Sequence, residues 1–132
     1  MSFKHKNFKD SLRSAFAGLA DAWRSERNMR FHTLMAALAV GLGAWLQLSR
    51  MEWLFLFSAV FLVMTMEMLN TSLERVVDLF TREFHPLARL AKNAAAGAAL
   101  LAAVYAIIVG ILLFLPRIWW ALMFFNRFIN IF

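Results

Sequence analysis

The sequence predicts an all-α membrane protein with three transmembrane helices and an N-terminal amphipathic interfacial helix. Of the 132 residues, 62% are hydrophobic, and the mean hydropathy is +0.64. A soluble domain usually has about 45–50% apolar residues. Apolar runs long enough to cross a bilayer alternate with polar segments. The length predicts one domain over residues 1–132. The absence of cysteine excludes disulfides and thiolate metal sites.

The first segment, residues 1–30, is basic and amphipathic. Its large apolar residues follow one another at intervals of four, four, three and four, which places them on one helical face: Phe8, Leu12, Phe16, Leu19 and Trp23. Such a helix is typical of the membrane interface, with its basic groups toward lipid phosphates. Packing of this face against the protein's own helices is the alternative.

Three segments, 31–48, 51–79 and 94–115, are predicted to contain the membrane spans. The first has Gly41 and Gly43, which allow close helix contact, and a linker of a few residues predicts an antiparallel hairpin with the second. The uncharged part of the second, residues 53–66, is only about 21 Å long as a helix, so we expect the helix to continue into the aqueous phase. The third span ends at Pro116, and residues 116–132 form an aromatic interfacial tail.

The distribution of basic residues predicts the orientation. Eleven of the fourteen Lys and Arg residues lie in residues 1–30 and 67–93. The positive-inside rule places both segments in the cytoplasm and the C-terminus outside. Because the net charge of +6 is concentrated at one membrane face, we expect it to meet anionic lipid rather than nucleic acid.

A stripe of polar residues follows the second apolar run. Glu67, Asn70, Glu74 and Asp78 are spaced by three, four and four residues, so they share one helix face. Ionisable residues at membrane depth mark functional sites by default. Magnesium is usually held by one or two carboxylates together with phosphate oxygens. Glu74 is a candidate ligand, and Glu26 is a second.

The same stripe offers a proton acceptor. Glu67, at the membrane boundary, suits a general base for a hydroxyl nucleophile, and Asn70 could orient its partners. Lys92, Arg30 and Arg27 are candidates to neutralise phosphate charge. The sequence has no Walker motif and no GxGxxG loop. The structural alternative is interhelical polar contact, with Glu67, Asn70 and Glu74 satisfied by Arg75, Arg30 or Lys92. An ion conductor would need acidic residues deeper in the bilayer, and residues 53–66 have none.

The segment EMLNTSLERVVDLFTREFHPLARLAKNAAAGAAL closely resembles the signature of the bacterial diacylglycerol kinase family, which includes undecaprenol kinases. WRSERNMRFH and the pair Gly18-Leu19 also resemble it. The resemblance implies a homotrimer in the bacterial inner (plasma) membrane that uses ATP and Mg²⁺ to phosphorylate a lipid alcohol, diacylglycerol or undecaprenol. RNMRFH and EMLNTSLE are more similar to the undecaprenol kinases.

The resemblance also implies roles for individual residues. It implies that Glu67 is the general base and contacts the lipid together with Arg30, and that Asn70 supports the base and the phosphate. It identifies Glu26 and Glu74 as metal ligands that also contact the nucleotide. It places three further residues in the nucleotide site: Asp78, Lys92 and Asn93.

One position departs from the family pattern. Asn93 follows Lys92 where the family usually has Asp, and an amide keeps the carbonyl acceptor but loses the charge. This change predicts weakened ATP binding. It also favours the alternative function, a catalytically weakened or non-catalytic membrane scaffold that keeps the family fold.

Overall fold

The computed structural model describes residues 7–129, apart from the side chains of 122 and 124–129. This part of the chain is all-helical, as predicted, and contains no strand. It consists of four helices: α1 (Phe8–Ser25), α2 (Arg27–Trp45), α3 (Arg50–Phe80) and α4 (Pro86–Ile129). Residues 1–6 of the predicted basic segment and residues 130–132 of the predicted tail lie outside the described residues.

Helix α1 is shorter than the predicted segment 1–30. It begins after Asn7, whose side-chain oxygen accepts a hydrogen bond from the Asp10 backbone amide at 2.9 Å. It ends at Ser25 because Glu26 has an extended backbone conformation, with φ −101° and ψ 123°. The residues from Arg27 to Arg30 therefore belong to α2. The predicted apolar face of α1 is uncovered in the single chain, since Phe8 and Phe16 are 81% and 63% exposed.

Helices α2 and α3 form the predicted antiparallel hairpin. A Cβ atom on Gly43 would lie 2.9 Å from the Leu48 side chain and 3.4 Å from that of Leu56, so glycine allows the close approach here. Gly41 does not serve this predicted purpose, because a Cβ atom there would meet nothing within 4 Å. In the connection, Gln47 adopts φ 53°, and Ser49 starts α3 with a capping box.

Helix α3 is 31 residues long, about 46 Å. It continues beyond the apolar run, as predicted, so that one helix carries the whole polar stripe. Its buried residues are separated by three or four positions and therefore share one face: Leu56, Ala59, Val63, Glu67 and Thr71. The apolar part of this face packs against α4 in the core, where Val109 and Leu113 are also buried. Glu67 thus continues the buried face at the end of its apolar part.

Helix α4 does not end near Pro116, as the sequence predicted, but continues through it to Ile129. A proline inside a helix removes one backbone hydrogen bond and opens the preceding turn. The Arg117 guanidinium stabilises this region, donating to the Leu113 carbonyl at 3.2 Å. The same guanidinium donates to both Glu52 carboxylate oxygens, at 2.7 and 2.8 Å, and ties the start of α3 to α4. Whether residues beyond 116 lie at the membrane interface stays a prediction.

Among the described residues, two helical segments are long and apolar enough to cross a membrane, Arg50–Phe80 and Pro86–Ala121. Helix α2 is not one of them, because its 19 residues include Asn28, Arg30 and His32 near the start. The first predicted span, residues 31–48, therefore stays a prediction. Apolar side chains of α4 are extensively exposed in the single chain, with Leu101 at 72% and Leu112 at 69%. Such a surface is suited to lipid or to a neighbouring helix.

Candidate active site

The candidate site lies on the C-terminal half of α3, which is predicted to face the cytoplasm. Glu67 is only 5% exposed, whereas Asn70 and Glu74 are half-buried and Asp78 is exposed. Asn70 Nδ2 donates to Glu74 Oε1 at 3.2 Å, one turn further along the helix. The structure thus joins two predicted site residues directly and holds the predicted base on the same helix, one turn before Asn70.

Asn70 also presents a buried acceptor. The Glu74 carboxylate can only accept hydrogen bonds, so the Asn70 amide must direct its NH₂ group toward it. Its Oδ1 is then buried and has no hydrogen-bond partner among the described side chains and backbone. Buried polar atoms are rarely left unpaired in native proteins. This oxygen is therefore suited to a hydroxyl, a water or a cation that the isolated chain does not supply.

Arg75 joins α1 to α3 next to Glu74. Its Nη1 donates to Asp21 Oδ2 at 2.6 Å, and its Nη2 donates to Ser25 Oγ at 2.7 Å. The Ser25 hydroxyl in turn donates to Glu26 Oε1 at 3.2 Å, and Arg75 Nη2 lies 3.6 Å from the same oxygen. This network links the junction residue Glu26, through Arg75, to the turn of α3 that carries Glu74. The role of the two carboxylates as metal ligands stays a prediction.

Three of the predicted nucleotide residues, Asp78, Lys92 and Asn93, lie near the end of α3 and the start of α4. Lys92 Nζ donates to Asp78 Oδ1 at 2.6 Å, so two of these predicted residues are in contact. Asn93 is exposed next to Lys92. Arg30, predicted to contact substrate, is also exposed, and its Nη1 donates to the Arg24 carbonyl at the end of α1 at 2.8 Å.

The polar-contact alternative predicted that Arg75, Arg30 or Lys92 satisfies Glu67, Asn70 and Glu74. The pairs found differ, because Arg75 binds Asp21 and lies near Glu26, while Lys92 binds Asp78 at the far end of the stripe. Within residues 7–129, Glu67 and Glu74 have no salt bridge with either cation or with Arg30. Simple charge neutralisation inside one chain therefore does not account for Glu67 or Glu74.

The oxygen atoms available here suit Mg²⁺ that is also bound by phosphate and water, but they do not form a metal site made of protein ligands alone. No group of three or more His, Asp or Glu side chains able to hold a metal is present in the described part of the chain. Mg²⁺ does not require one, since it usually takes one or two carboxylates and completes its shell with phosphate oxygens and water. The Glu74 carboxylate and the unpaired Asn70 Oδ1 are oxygen donors of this kind on one helix face.

Comparison with known proteins decides the family. The prokaryotic diacylglycerol kinase family matches residues 13–114, which is more than half of the chain. The chain belongs to this family. It is similar to the undecaprenol kinase of Bacillus subtilis (strain 168), at 40% identity over 86% of this chain and 96% of the relative. It is also similar to the diacylglycerol kinase of Escherichia coli (strain K12), at 36% identity over 71% and 77%.

A third relative is longer than the matched region. The diacylglycerol kinase of Synechocystis sp. (strain ATCC 27184 / PCC 6803 / Kazusa) is 43% identical over 83% of this chain, and the match covers 63% of that relative. Family membership confirms the predicted class of enzyme, a lipid kinase. Together with two long apolar helices, it also establishes a membrane protein.

Several contacts of this lipid kinase were missed by sequence reasoning. Asp21 and Ser25 were not predicted to hold α1 against α3, and their partner Arg75 lies about fifty residues away in sequence. A contact between residues so far apart in sequence cannot be predicted from local periodicity. The Glu52–Arg117 pair was also missed, although the S-x-x-E pattern from Ser49 to Glu52 signals the helix start that positions Glu52.

We expect Arg75→Ala to detach α1 from α3 without unfolding the other helices. The substitution removes the donor to Asp21 and Ser25, while the apolar packing between α3 and α4 is unchanged. Hydrogen exchange should then become faster in residues 8–25 and stay the same in residues 50–115. Arg82→Ala, which removes an exposed cation after α3, is the control. Equal exchange in wild type and Arg75→Ala would show that other contacts hold α1.

Proposed function

We propose that this protein transfers the γ-phosphoryl group of ATP to the hydroxyl of a membrane lipid alcohol, diacylglycerol or undecaprenol, at the cytoplasmic membrane interface. The observation that carries the proposal is the buried Glu67 carboxylate on the face of α3 that also carries the Asn70–Glu74 pair. In a lipid kinase, such a face places a proton acceptor beside oxygen donors for a metal–phosphate group. The names of the relatives supply the two candidate alcohols.

Glu67 acts as the general base in this proposal. Its carboxylate takes the proton of the lipid hydroxyl as the alcohol oxygen forms a bond to the γ-phosphorus. The bond between that phosphorus and the β,γ-bridging oxygen breaks, and ADP leaves with the electron pair. The proton on Glu67 then returns to water. A positioned base typically contributes a factor of 10²–10⁴ in rate.

Glu26 and Glu74 are the proposed ligands of Mg²⁺, which neutralises phosphate charge when it is bound. Asn70 holds the Glu74 carboxylate through its NH₂ group and keeps its Oδ1 available as an acceptor. The Arg75 network keeps Glu26 at this turn of α3. Glu26 and Glu74 therefore supply oxygen ligands to the metal, and Asn70 and Arg75 hold these carboxylates in place. None of the four takes part in proton transfer.

The nucleotide is proposed to lie at the ends of α3 and α4. Lys92 is a cation for phosphate, and Asp78 holds its Nζ at 2.6 Å. Asn93 contributes an exposed amide beside it, and Glu26 and Glu74 reach the nucleotide through its phosphates. Arg30 is proposed to contact the lipid substrate, which would require its guanidinium to leave the Arg24 carbonyl.

The proposed assembly is a homotrimer with three spans per chain, a cytoplasmic N-terminus and an external C-terminus. Exposed apolar side chains on α1 and α4 support a membrane-embedded assembly, because the single chain leaves them uncovered. The concentration of basic residues near the stripe supports the orientation. Nucleic acid has no part in the proposal.

Transfer of labelled phosphate from ATP tests the function. Purified protein is incubated with labelled ATP and Mg²⁺ in micelles that hold either diacylglycerol or undecaprenol, and label in the lipid phase is counted. The proposal expects transfer to at least one alcohol and none in the presence of a metal chelator. Absence of transfer by a correctly folded protein would favour the scaffold alternative, which Asn93 suggests.

We expect Asn93→Asp to lower the KM for ATP. The substitution restores a carboxylate beside Lys92 at the position where the family usually has Asp. A charge-assisted hydrogen bond is roughly twice as strong as a neutral one, which predicts a decrease of about 3- to 10-fold. The KM for ATP is measured at saturating lipid, with Asn28→Asp as a control for added charge. An unchanged KM would show that the amide serves equally well.

A further inference from the structure

The two proposed metal ligands are each held by one neighbouring polar side chain. Glu74 Oε1 accepts a hydrogen bond from Asn70 Nδ2 at 3.2 Å, and Glu26 Oε1 accepts one from the Ser25 hydroxyl, also at 3.2 Å. In the described part of the chain these are the only hydrogen bonds to either carboxylate. Asn70 has a role in the proposed mechanism, whereas Ser25 has none.

Arg75 fixes the direction in which the Ser25 hydroxyl donates. Its guanidinium can only donate, and Nη2 lies 2.7 Å from Ser25 Oγ, so the hydroxyl oxygen accepts this bond. The hydroxyl hydrogen is then free for Glu26 Oε1. Arg75 Nη2 lies 3.6 Å from the same carboxylate oxygen, which is an ion-pair distance but too long for a hydrogen bond. Ser25 is therefore the side chain that sets the orientation of the Glu26 carboxylate.

The Glu26 carboxylate has another set of donors close to it. Glu26 is the N-cap of α2, and the first backbone amides of a helix have no partner within the helix. A carboxylate at such a position can accept hydrogen bonds from these amides, but the Glu26 side chain does not. It is turned instead toward Ser25 and Arg75. Without the Ser25 hydroxyl, we expect the carboxylate to spend part of its time on the amides of α2.

We propose that Ser25 is a positioning residue for the metal ligand Glu26. Its hydroxyl occupies Oε1 and leaves Oε2 for Mg²⁺, in the same way that Asn70 occupies Oε1 of Glu74. The inference rests on the proposed function, because it requires Glu26 to bind the metal. Carboxylates that bind metals are usually held by such hydrogen bonds, and the loss of these bonds weakens metal binding.

The same contact predicts a structural effect of the metal. Ser25 is the last residue of α1, and Glu26 separates α1 from α2. A metal bound to the Glu26 carboxylate should therefore stabilise the junction between the two helices. We expect Mg²⁺ to slow hydrogen exchange in residues 22–30, and this effect requires no turnover.

Ser25→Ala tests the inference, and Ser25→Thr, which keeps a hydroxyl, is the matched variant. Two quantities are measured for each protein. One is the Mg²⁺ concentration for half-maximal transfer of label to the lipid. The other is the Mg²⁺ concentration for half-maximal protection of residues 22–30 from hydrogen exchange, with a non-hydrolysable ATP analogue present.

Ser25→Ala should raise both Mg²⁺ concentrations by about 3- to 10-fold, the range expected for the loss of one hydrogen bond. Excess Mg²⁺ should restore most of the lost transfer, because the ligand is misplaced and not removed. Ser25→Thr should remain close to wild type. Ser11→Ala, which removes an exposed hydroxyl from α1, should shift neither concentration.

Asp21→Ala separates the orientation of Glu26 from the docking of α1. It removes the other partner of Arg75 on α1 but leaves the contact between Ser25 and Glu26 in place. Hydrogen exchange in residues 8–25 should become faster, because α1 is held less firmly against α3. Both Mg²⁺ concentrations should nevertheless stay close to those of wild type.

Two results would overturn the inference and leave the proposed function standing. An unchanged Mg²⁺ requirement in Ser25→Ala would show that the hydroxyl does not orient Glu26. Equal shifts in Ser25→Ala and Asp21→Ala would show that the docking of α1, and not the Ser25 hydroxyl, controls the affinity for Mg²⁺. An unchanged Mg²⁺ requirement in Glu26→Gln would instead refute the proposed ligand role of Glu26, and the role of Ser25 with it.

Discussion

Glu67→Gln is expected to reduce phosphoryl transfer at least about 100-fold while leaving the fold intact. The amide has the shape of the carboxylate but cannot take a proton from the lipid hydroxyl, and a general base is worth about 10²–10⁴ in rate. The side chain is 5% exposed on α3, so the loss cannot be assigned to a change in surface charge. Label transfer from ATP is measured at saturating lipid and ATP, because a missing base should lower kcat rather than raise either KM.

Asp10→Asn is the matched control for Glu67→Gln. It also replaces one carboxylate by an amide, but Asp10 is exposed in the first turn of α1 and lies before the region that matches the family. The control should keep wild-type kcat. Circular dichroism and cross-linking of the Glu67 variant should match wild type. Normal turnover by a folded Glu67→Gln protein would remove Glu67 as the base.

Glu74→Gln is expected to raise the Mg²⁺ concentration for half-maximal activity by about 10- to 100-fold. The substitution removes the charge of a proposed metal ligand, and loss of residues that merely orient ligands already costs a factor of this size. The Asn70–Glu74 contact also changes, because an amide oxygen accepts the Asn70 NH₂ group less strongly than a carboxylate does. Activity is titrated with Mg²⁺ at a fixed concentration of free ATP.

Two further variants distinguish Mg²⁺ binding by Glu74 from a general effect of removing a negative charge. Glu26→Gln should shift the Mg²⁺ titration in the same direction, because Glu26 is the second proposed ligand. Glu83→Gln removes an exposed carboxylate from the connection between α3 and α4 and should leave the titration unchanged. If Glu74→Gln has the same Mg²⁺ requirement as wild type, Glu74 does not bind the metal.

Local patterns of the sequence were sufficient to predict the elements that matter most for the site. The charge-free run before Glu67 is too short for a bilayer, and this predicted that α3 continues through the stripe, as it does up to Phe80. The spacing of Glu67, Asn70 and Glu74 placed them on one helix face, and the Asn70–Glu74 hydrogen bond agrees with it. The signature around these residues identified the family that residues 13–114 match.

Helix ends were predicted less well, and the reasons are physical. The basic pattern up to Arg30 reads as one helix, but the extended backbone at Glu26 divides it and moves the predicted metal ligand into a junction. Pro116 is a helix breaker by local rules. The helix nevertheless continues to Ile129, and next to the proline the Arg117 guanidinium donates to the Leu113 carbonyl and is held by Glu52 from another helix.

The sequence by itself determined the helical membrane class, the family and the face of α3 that carries Glu67, since each depends on periodicity or on residues close together in the chain. Only the tertiary structure decided that Arg75 ties Asp21 and Ser25 to α3, that Lys92 holds Asp78, and that Arg117 holds Glu52. These features join residues far apart in sequence, and their geometry depends on how the helices pack.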